Sequence, residues 1–198
     1  MEILDHPSLP PYLLITLCIL LGGCTAGIIN DTINPSVYQQ PFNITKSPIF
    51  IMSTSEIFQT ILLKNLLATF LIMSISILGF RVIPALFIGI NGYILGITIT
   101  SLNYNPSMLF AIIFPHGYFE FPLLLFAGSC SFIIIDEIKK TKLNAYTLLK
   151  KHGNPKVRYI LKNYLFYPYL FIIIPGIFIT AAIESTFSLW NFRILLGV

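Results

Sequence analysis

The sequence predicts an all-α, polytopic membrane bundle of about five transmembrane helices in a single domain, and three observations carry the prediction. Charged residues make up only 10% of the 198 positions, against about 25% in soluble domains. Long apolar runs follow one another along the whole chain, and the mean hydropathy is +0.82. The basic residues, finally, gather in one stretch instead of covering a polar surface. A soluble enzyme, an outer-membrane barrel and a disordered chain are excluded, and the lipid bilayer is the first expected partner. Nucleic acid is not an expected partner, because the net charge of +4 comes from one loop and not from a basic face.

The spans follow from the apolar runs. The first is expected over about 12–29, the second over 57–78 and the third over 82–102. The stretch 106–135 would reach about 45 Å as a straight helix, against a hydrocarbon core of roughly 30 Å. It is therefore expected to break at Pro115, Gly117 and Pro122, since each proline removes a helical donor and crowds the carbonyl four residues earlier. The carbonyls of Ala111 and Tyr118 would lose their usual donors there, leaving a polar pocket that enclosed water or protein must satisfy. The last span is expected over 165–190, kinked at Pro175, with Tyr164, Tyr167, Tyr169 and Trp190 as interfacial anchors.

Orientation follows from charge. Eight of the twelve Lys and Arg lie in the basic loop 136–164, which the positive-inside rule makes cytoplasmic. Five crossings then put the N-terminus inside, the loop 30–56 outside and Arg81 inside. A re-entrant hairpin at 106–135 would invert the first three spans and merely exchange Lys46 with Arg81, so charge alone leaves both arrangements open. One broken crossing fits the lengths of the two halves better than a hairpin with two arms.

The loops and cysteines are less informative. The outer loop, rich in Pro, Asn, Ser, Thr and Gln, reads as a cap too short for its own core; it contains a glycosylation sequon at Asn43, Ile44 and Thr45. Residues 136–151 are expected to form an interfacial helix that ends near Gly153 and Pro155. On a helix, Cys18 and Cys24 would lie about 9 Å apart along the axis, too far for a disulfide. Leu21, Gly22, Gly23 and Cys24 look like a lipoprotein cleavage box, but the preceding flank has Glu2 and Asp5 and no positive residue.

Inside a membrane the informative residues are those that are costly to keep, since a charge at mid-bilayer costs about 2.5–3.5 kcal/mol on insertion scales. Lys64 and Asn65 in the second span, Asn91 in the third, His116 and Glu120 in the fourth and Glu184 in the fifth form the expected intramembrane polar cluster. Lys64 could pair with Glu184 or with Glu120. A structural hydrogen-bond cluster pinning the fourth span to Asn91, a proton or substrate site, and a metal or general-base site on His116, Glu120 and Glu184 are the competing uses. No HExxH, nucleophile elbow or phosphate loop is present, so no catalytic residue, metal or cofactor is expected. Gly89, Gly92 and Gly96 make a smooth stripe on the third span, as do Gly23 and Gly27 on the first. Such stripes let helices approach closely, within the monomer or across a homodimer.

The polar landmarks also resemble a family. Asn65, then Gly79, then Asn91, Gly92, Leu95 and Gly96, then Pro115, His116, Gly117 and Glu120, and last Ala181, Ala182, Ile183 and Glu184 are similar to the pattern of the stage II sporulation protein M family of integral membrane proteins. The resemblance covers roughly 57–190 in four patches. It departs at Lys64, where the family often has a first asparagine of an adjacent pair. The resemblance implies a non-catalytic membrane scaffold or anchor in the prokaryotic cytoplasmic membrane, holding protein partners of cell-wall remodelling or of peptide export and maturation systems. A transporter or permease subunit with a polar intramembrane pocket is the alternative, and an intramembrane hydrolase a third reading.

Overall fold

The computed structural model describes residues 2–33, 53–101, 106–141 and 155–196, with the side chains of 101–116, 119 and 188–196 outside that description. All described secondary structure is helical. In chain order it comprises α1 (Leu9–Ile33), α2 (Thr54–Ile75) with a 3-10 turn (Ser76–Leu78), α3 (Val82–Ser101) and α4 (Pro106–Lys140). After these come α5 (Pro155–Ile160), two π-helical stretches (Leu161–Phe166 and Tyr169–Ile173) and α6 (Ile174–Leu196), which together form one last rod. Five of these rods contain a stretch long and apolar enough to cross a membrane, so the all-α, five-span class stands. The expected outer cap lies largely outside the described residues, as does 142–154 of the basic loop. The rest of that loop is helical, because α4 continues through Lys140 and the last rod begins at Pro155.

Local signals set the ends of α2. Ser53 caps it: the Ser53 Oγ accepts from the Glu56 backbone N at 3.3 Å, while the Glu56 carboxylate accepts from the Ser53 N at 2.7 Å. At the other end Gly79 takes φ +80°, a left-handed conformation without penalty for glycine, and turns the chain from α2 into α3.

The break expected at Pro115, Gly117 and Pro122 is corrected: α4 runs through all three as one helix of 35 residues, about 52 Å long. The physical reason is a comparison of losses. A true break would strand up to about four acceptors at one new end and four donors at the other, in a medium where every one costs several kcal/mol. A proline held within the helix removes one donor and strands one carbonyl. Unbroken, α4 also leaves no room for a re-entrant hairpin.

Helix α4 is the axis of the bundle. Every residue from Ala127 to Ile135 is buried, a stretch of small and apolar side chains enclosed on all sides. Small polar groups bind it to its neighbours: the Ser131 Oγ donates to the Ile72 carbonyl of α2 at 3.1 Å, and the Ser129 and Thr16 hydroxyls meet at 3.3 Å across α1. The outer helices turn large apolar side chains outward, among them Leu63, Leu86 and Phe171, as lipid-facing helices do.

Helices α1 and α3 run parallel and nearly touch backbone to backbone. A methyl group added at Gly23 would overlap the Gly89 carbonyl, one at Gly27 the Tyr93 carbonyl, one at Gly92 the Leu20 carbonyl and one at Gly96 the Cys24 carbonyl. Only Gly89 has ordinary room, with the Ile19 side chain 3.7 Å away. The two glycine stripes therefore meet each other inside one chain, and close backbone approach supplies the van der Waals contact that lipid cannot.

The near ends of α1, α3, α4 and the last rod share one face of the bundle. Asp136 at the close of α4 accepts hydrogen bonds from the Arg81 guanidinium and the Tyr12 hydroxyl, and Arg81 Nη2 also donates to the Tyr12 oxygen at 3.2 Å. Beside them Lys140 pairs with Glu137 at 2.7 Å, and the Tyr159 hydroxyl donates to Glu2.

Candidate functional site

The periodicity of three helices brings their few polar side chains to one point. On α2, Asn65, Ala68 and Thr69 lie three and four residues apart and face inward; on α6, Ile177, Thr180 and Glu184 do the same. Glu120 projects between them from α4. The Asn65 amide donates to the Glu120 carboxylate, and the Glu184 carboxyl lies within hydrogen-bonding reach of Glu120 while only 1% exposed. An ionised carboxylate only accepts, so a hydrogen bond between two carboxyl groups requires a proton on one of them. The cluster thus brings α2, α4 and α6 together around one amide and two carboxyls.

Next to it lies a small cavity of about 50 Å³, edged by Asn65, Thr69, Asn91, Glu120 and Thr180. That volume has room for a few water molecules. Its apolar wall comes from α4 and α6, with Leu124 and Ile177 among the lining residues. The hydroxyls nearby are satisfied by their own helices: Thr69 donates to the Asn65 carbonyl at 2.7 Å and Thr180 to the Gly176 carbonyl at 2.8 Å. The Tyr169 hydroxyl reaches across from the second π-helical stretch to the Leu66 carbonyl at 2.8 Å.

Of the six residues read as the polar cluster, the structure gathers Asn65, Glu120 and Glu184. Lys64 is exposed on the outer surface of α2 and pairs with neither carboxyl, because one residue of helix turns a side chain by about 100° and Asn65 takes the inward position. Asn91 borders the cavity but does not pin α4; its amide folds back to the Phe87 carbonyl at 2.8 Å. The His116 side chain lies outside the described residues, so the three-residue metal or general-base site does too. Among the described residues no three His, Cys, Asp or Glu side chains are gathered to hold a metal ion.

Sequence reasoning missed the triad of Tyr12, Arg81 and Asp136. The signal was present: Arg81 and Asp136 both stand where apolar runs end, at the same expected depth and with opposite charge. Asp31 at the far end of α1 was missed as well; it is buried and accepts from the Thr100 hydroxyl of α3 at 2.6 Å. Together with the glycine seam, these contacts fix α1 against α3 at one end and against α4 at the other.

Comparison with known proteins gives one result. No curated protein and no solved structure matches the chain. The family model for stage II sporulation protein M matches residues 12–189, nearly the whole length and every spanning helix. The chain accordingly belongs to the stage II sporulation protein M family.

Proposed function

We propose that this protein is a non-catalytic scaffold of a prokaryotic cytoplasmic membrane, holding partner proteins of a cell-wall remodelling or peptide-export system through its helix faces and outer loop. The observation that carries the reading is the use of the costly side chains: Asn65, Glu120 and Glu184 bond across α2, α4 and α6 around a space of only about 50 Å³. Buried polar groups spent on one another rigidify a bundle and specify its packing. A rigid body with an apolar exterior suits an anchor. The basic end, with Arg81, Lys139, Lys140, Lys156, Arg158 and Lys162, faces the cytoplasm in this reading.

A transporter subunit is the second reading, favoured by the polar edge of the cavity. The two differ in what they need of Glu120. Purification of the intact protein in mild detergent, with mass spectrometry of what accompanies it, separates them. A cell-wall hydrolase or a secreted-peptide maturation factor supports the scaffold; a nucleotide-binding subunit overturns it in favour of the transporter.

A further inference from the structure

Away from the carboxyl cluster, the parallel helices α1 and α3 are held together by their glycines but leave a groove at the basic end. Tyr12 and Ile15 of α1 form one wall, Arg81, Val82 and Ala85 at the start of α3 the other, and Phe132 of α4 the floor. The groove is open to the surface and measures about 250 Å³, and apart from Arg81 and the Tyr12 hydroxyl its lining is apolar. Val82 is 66% exposed and Ile15 44%, while Phe132 beneath them is buried.

The mouth of this groove is cationic. Arg81 spends Nη2 on Asp136 and Tyr12, and its side chain remains 49% exposed. Its Nε and Nη1 carry three further donors with no partner among the described residues. Lys139, exposed and three residues beyond Asp136 on α4, adds a further positive charge at this end. The triad also holds the guanidinium in place, because Asp136 and Tyr12 grip one nitrogen and the Tyr12 ring lies 5.9 Å beneath it. A guanidinium pre-positioned above an apolar slot, at the end of the bundle where other basic residues gather, fits a molecule with a phosphate at one end and a hydrocarbon chain at the other.

We propose that this groove is a binding site for an anionic phospholipid of the adjoining leaflet, with its phosphate on Arg81 and one acyl chain laid against Ile15, Val82 and Phe132. The site is independent of the scaffold reading and of the Glu120 cluster.

The test uses the full chain purified in mild detergent, delipidated, and offered an equimolar mixture of phosphatidylglycerol and phosphatidylcholine with identical acyl chains. Lipid retained is read by native mass spectrometry. The expected result is retention of phosphatidylglycerol in about fivefold preference, the scale of one basic residue acting near an anionic surface. The preference should fall toward unity in Arg81→Gln, and total retention should fall in Ala85→Leu, which fills the groove without altering charge. If Arg81→Gln does not fold, Ala85→Leu and Val82→Trp carry the test, since Val82 is already exposed. Equal retention of the two lipids overturns the proposal, as does undiminished retention in both groove-filling variants. Glycerol phosphate that competes as well as the intact lipid removes the role of the groove. A dimer in the parent that Ala85→Leu converts to monomer assigns the groove to a second copy of the chain instead.

Discussion

The Asn65 amide on α2 donates to the Glu120 carboxylate on α4, and Glu120 in turn faces Glu184 on α6, so one side chain joins three helices inside the bundle. What Glu120 contributes is therefore a junction, and its replacements should separate by hydrogen-bonding capacity. Glu120→Gln keeps an oxygen to accept from Asn65 and gains an amide to donate to Glu184, and its thermal unfolding in detergent should stay within about 1 kcal/mol of the parent. Glu120→Leu strands both partners and should lose about 1–3 kcal/mol for each buried group left unsatisfied. Equal stability of the two variants would remove the junction from the account.

The glycine seam makes a sharper forecast, because a glycine on the seam and one just off it differ completely. Gly92→Ala places a methyl group on the Leu20 backbone carbonyl, which cannot move without separating α1 from α3, and a loss of about 1–3 kcal/mol is expected from overpacking. Gly22 has nothing within 4 Å, so Gly22→Ala should be neutral or stabilising by up to about 1 kcal/mol through helix propensity. Paired melting curves decide the matter. A Gly92→Ala protein as stable as Gly22→Ala would mean that the seam does not close in the membrane.

Arg81 and Asp136 are a half-exposed pair, at 49% and 21%, so their coupling should be modest. A double-mutant cycle with Arg81→Ala and Asp136→Ala is expected to return about 0.5–1 kcal/mol at low salt. Raising the salt to about 1 M shortens the screening length to roughly 3 Å and should erase most of it. A coupling that ignores salt would show that the pair is sealed from solvent.

Orientation can be read by labelling. In a background without native cysteines, Asp5→Cys and Phe80→Cys should react with an impermeant maleimide only from the cytoplasmic side, and Ser53→Cys only from outside. Asp5, Phe80 and Ser53 are all exposed. Labelling of Phe80→Cys and Ser53→Cys from the same side contradicts the arrangement, because α2 lies between them.

The fold class was legible because hydropathy over a span is a sum of many small terms, and no single side chain can reverse it. The glycine stripes were legible too, since Gly23 and Gly27 leave a smooth face wherever a helix forms, although the sequence did not say that Gly89, Gly92 and Gly96 would be the surface they meet. Rotations of helices were not legible. Whether Lys64 or Asn65 faces Glu120 depends on about 100° of turn about the α2 axis, which neighbouring helices set. Asn91 was expected to reach α4, yet a carbonyl on its own helix was nearer. The prolines misled for a related reason: Pro115 and Pro122 weaken a helix as an isolated chain, while in a membrane a broken α4 would strand more backbone groups than the prolines do.

The parallel seam has a consequence for how the protein is made. Gly23 meets Gly89, about 66 residues later in the chain, so at roughly 5–20 residues per second α1 waits about 3–13 s in the bilayer before its partner is synthesised. During that interval it must survive as a solitary rod. Its threonine hydroxyls are already self-sufficient, Thr25 donating to Leu21 at 2.9 Å and Thr32 to Ile28 at 2.7 Å, and its mean hydropathy of 2.2 is the highest of the five spans. Helix α4, which arrives after three others have been inserted, has the lowest, at 1.8. Over the first four spans the order of birth on the ribosome is thus matched by a descending tolerance for solitude in lipid, from the pioneer α1 to the enclosed α4, while the last span, at 2.0, departs from it.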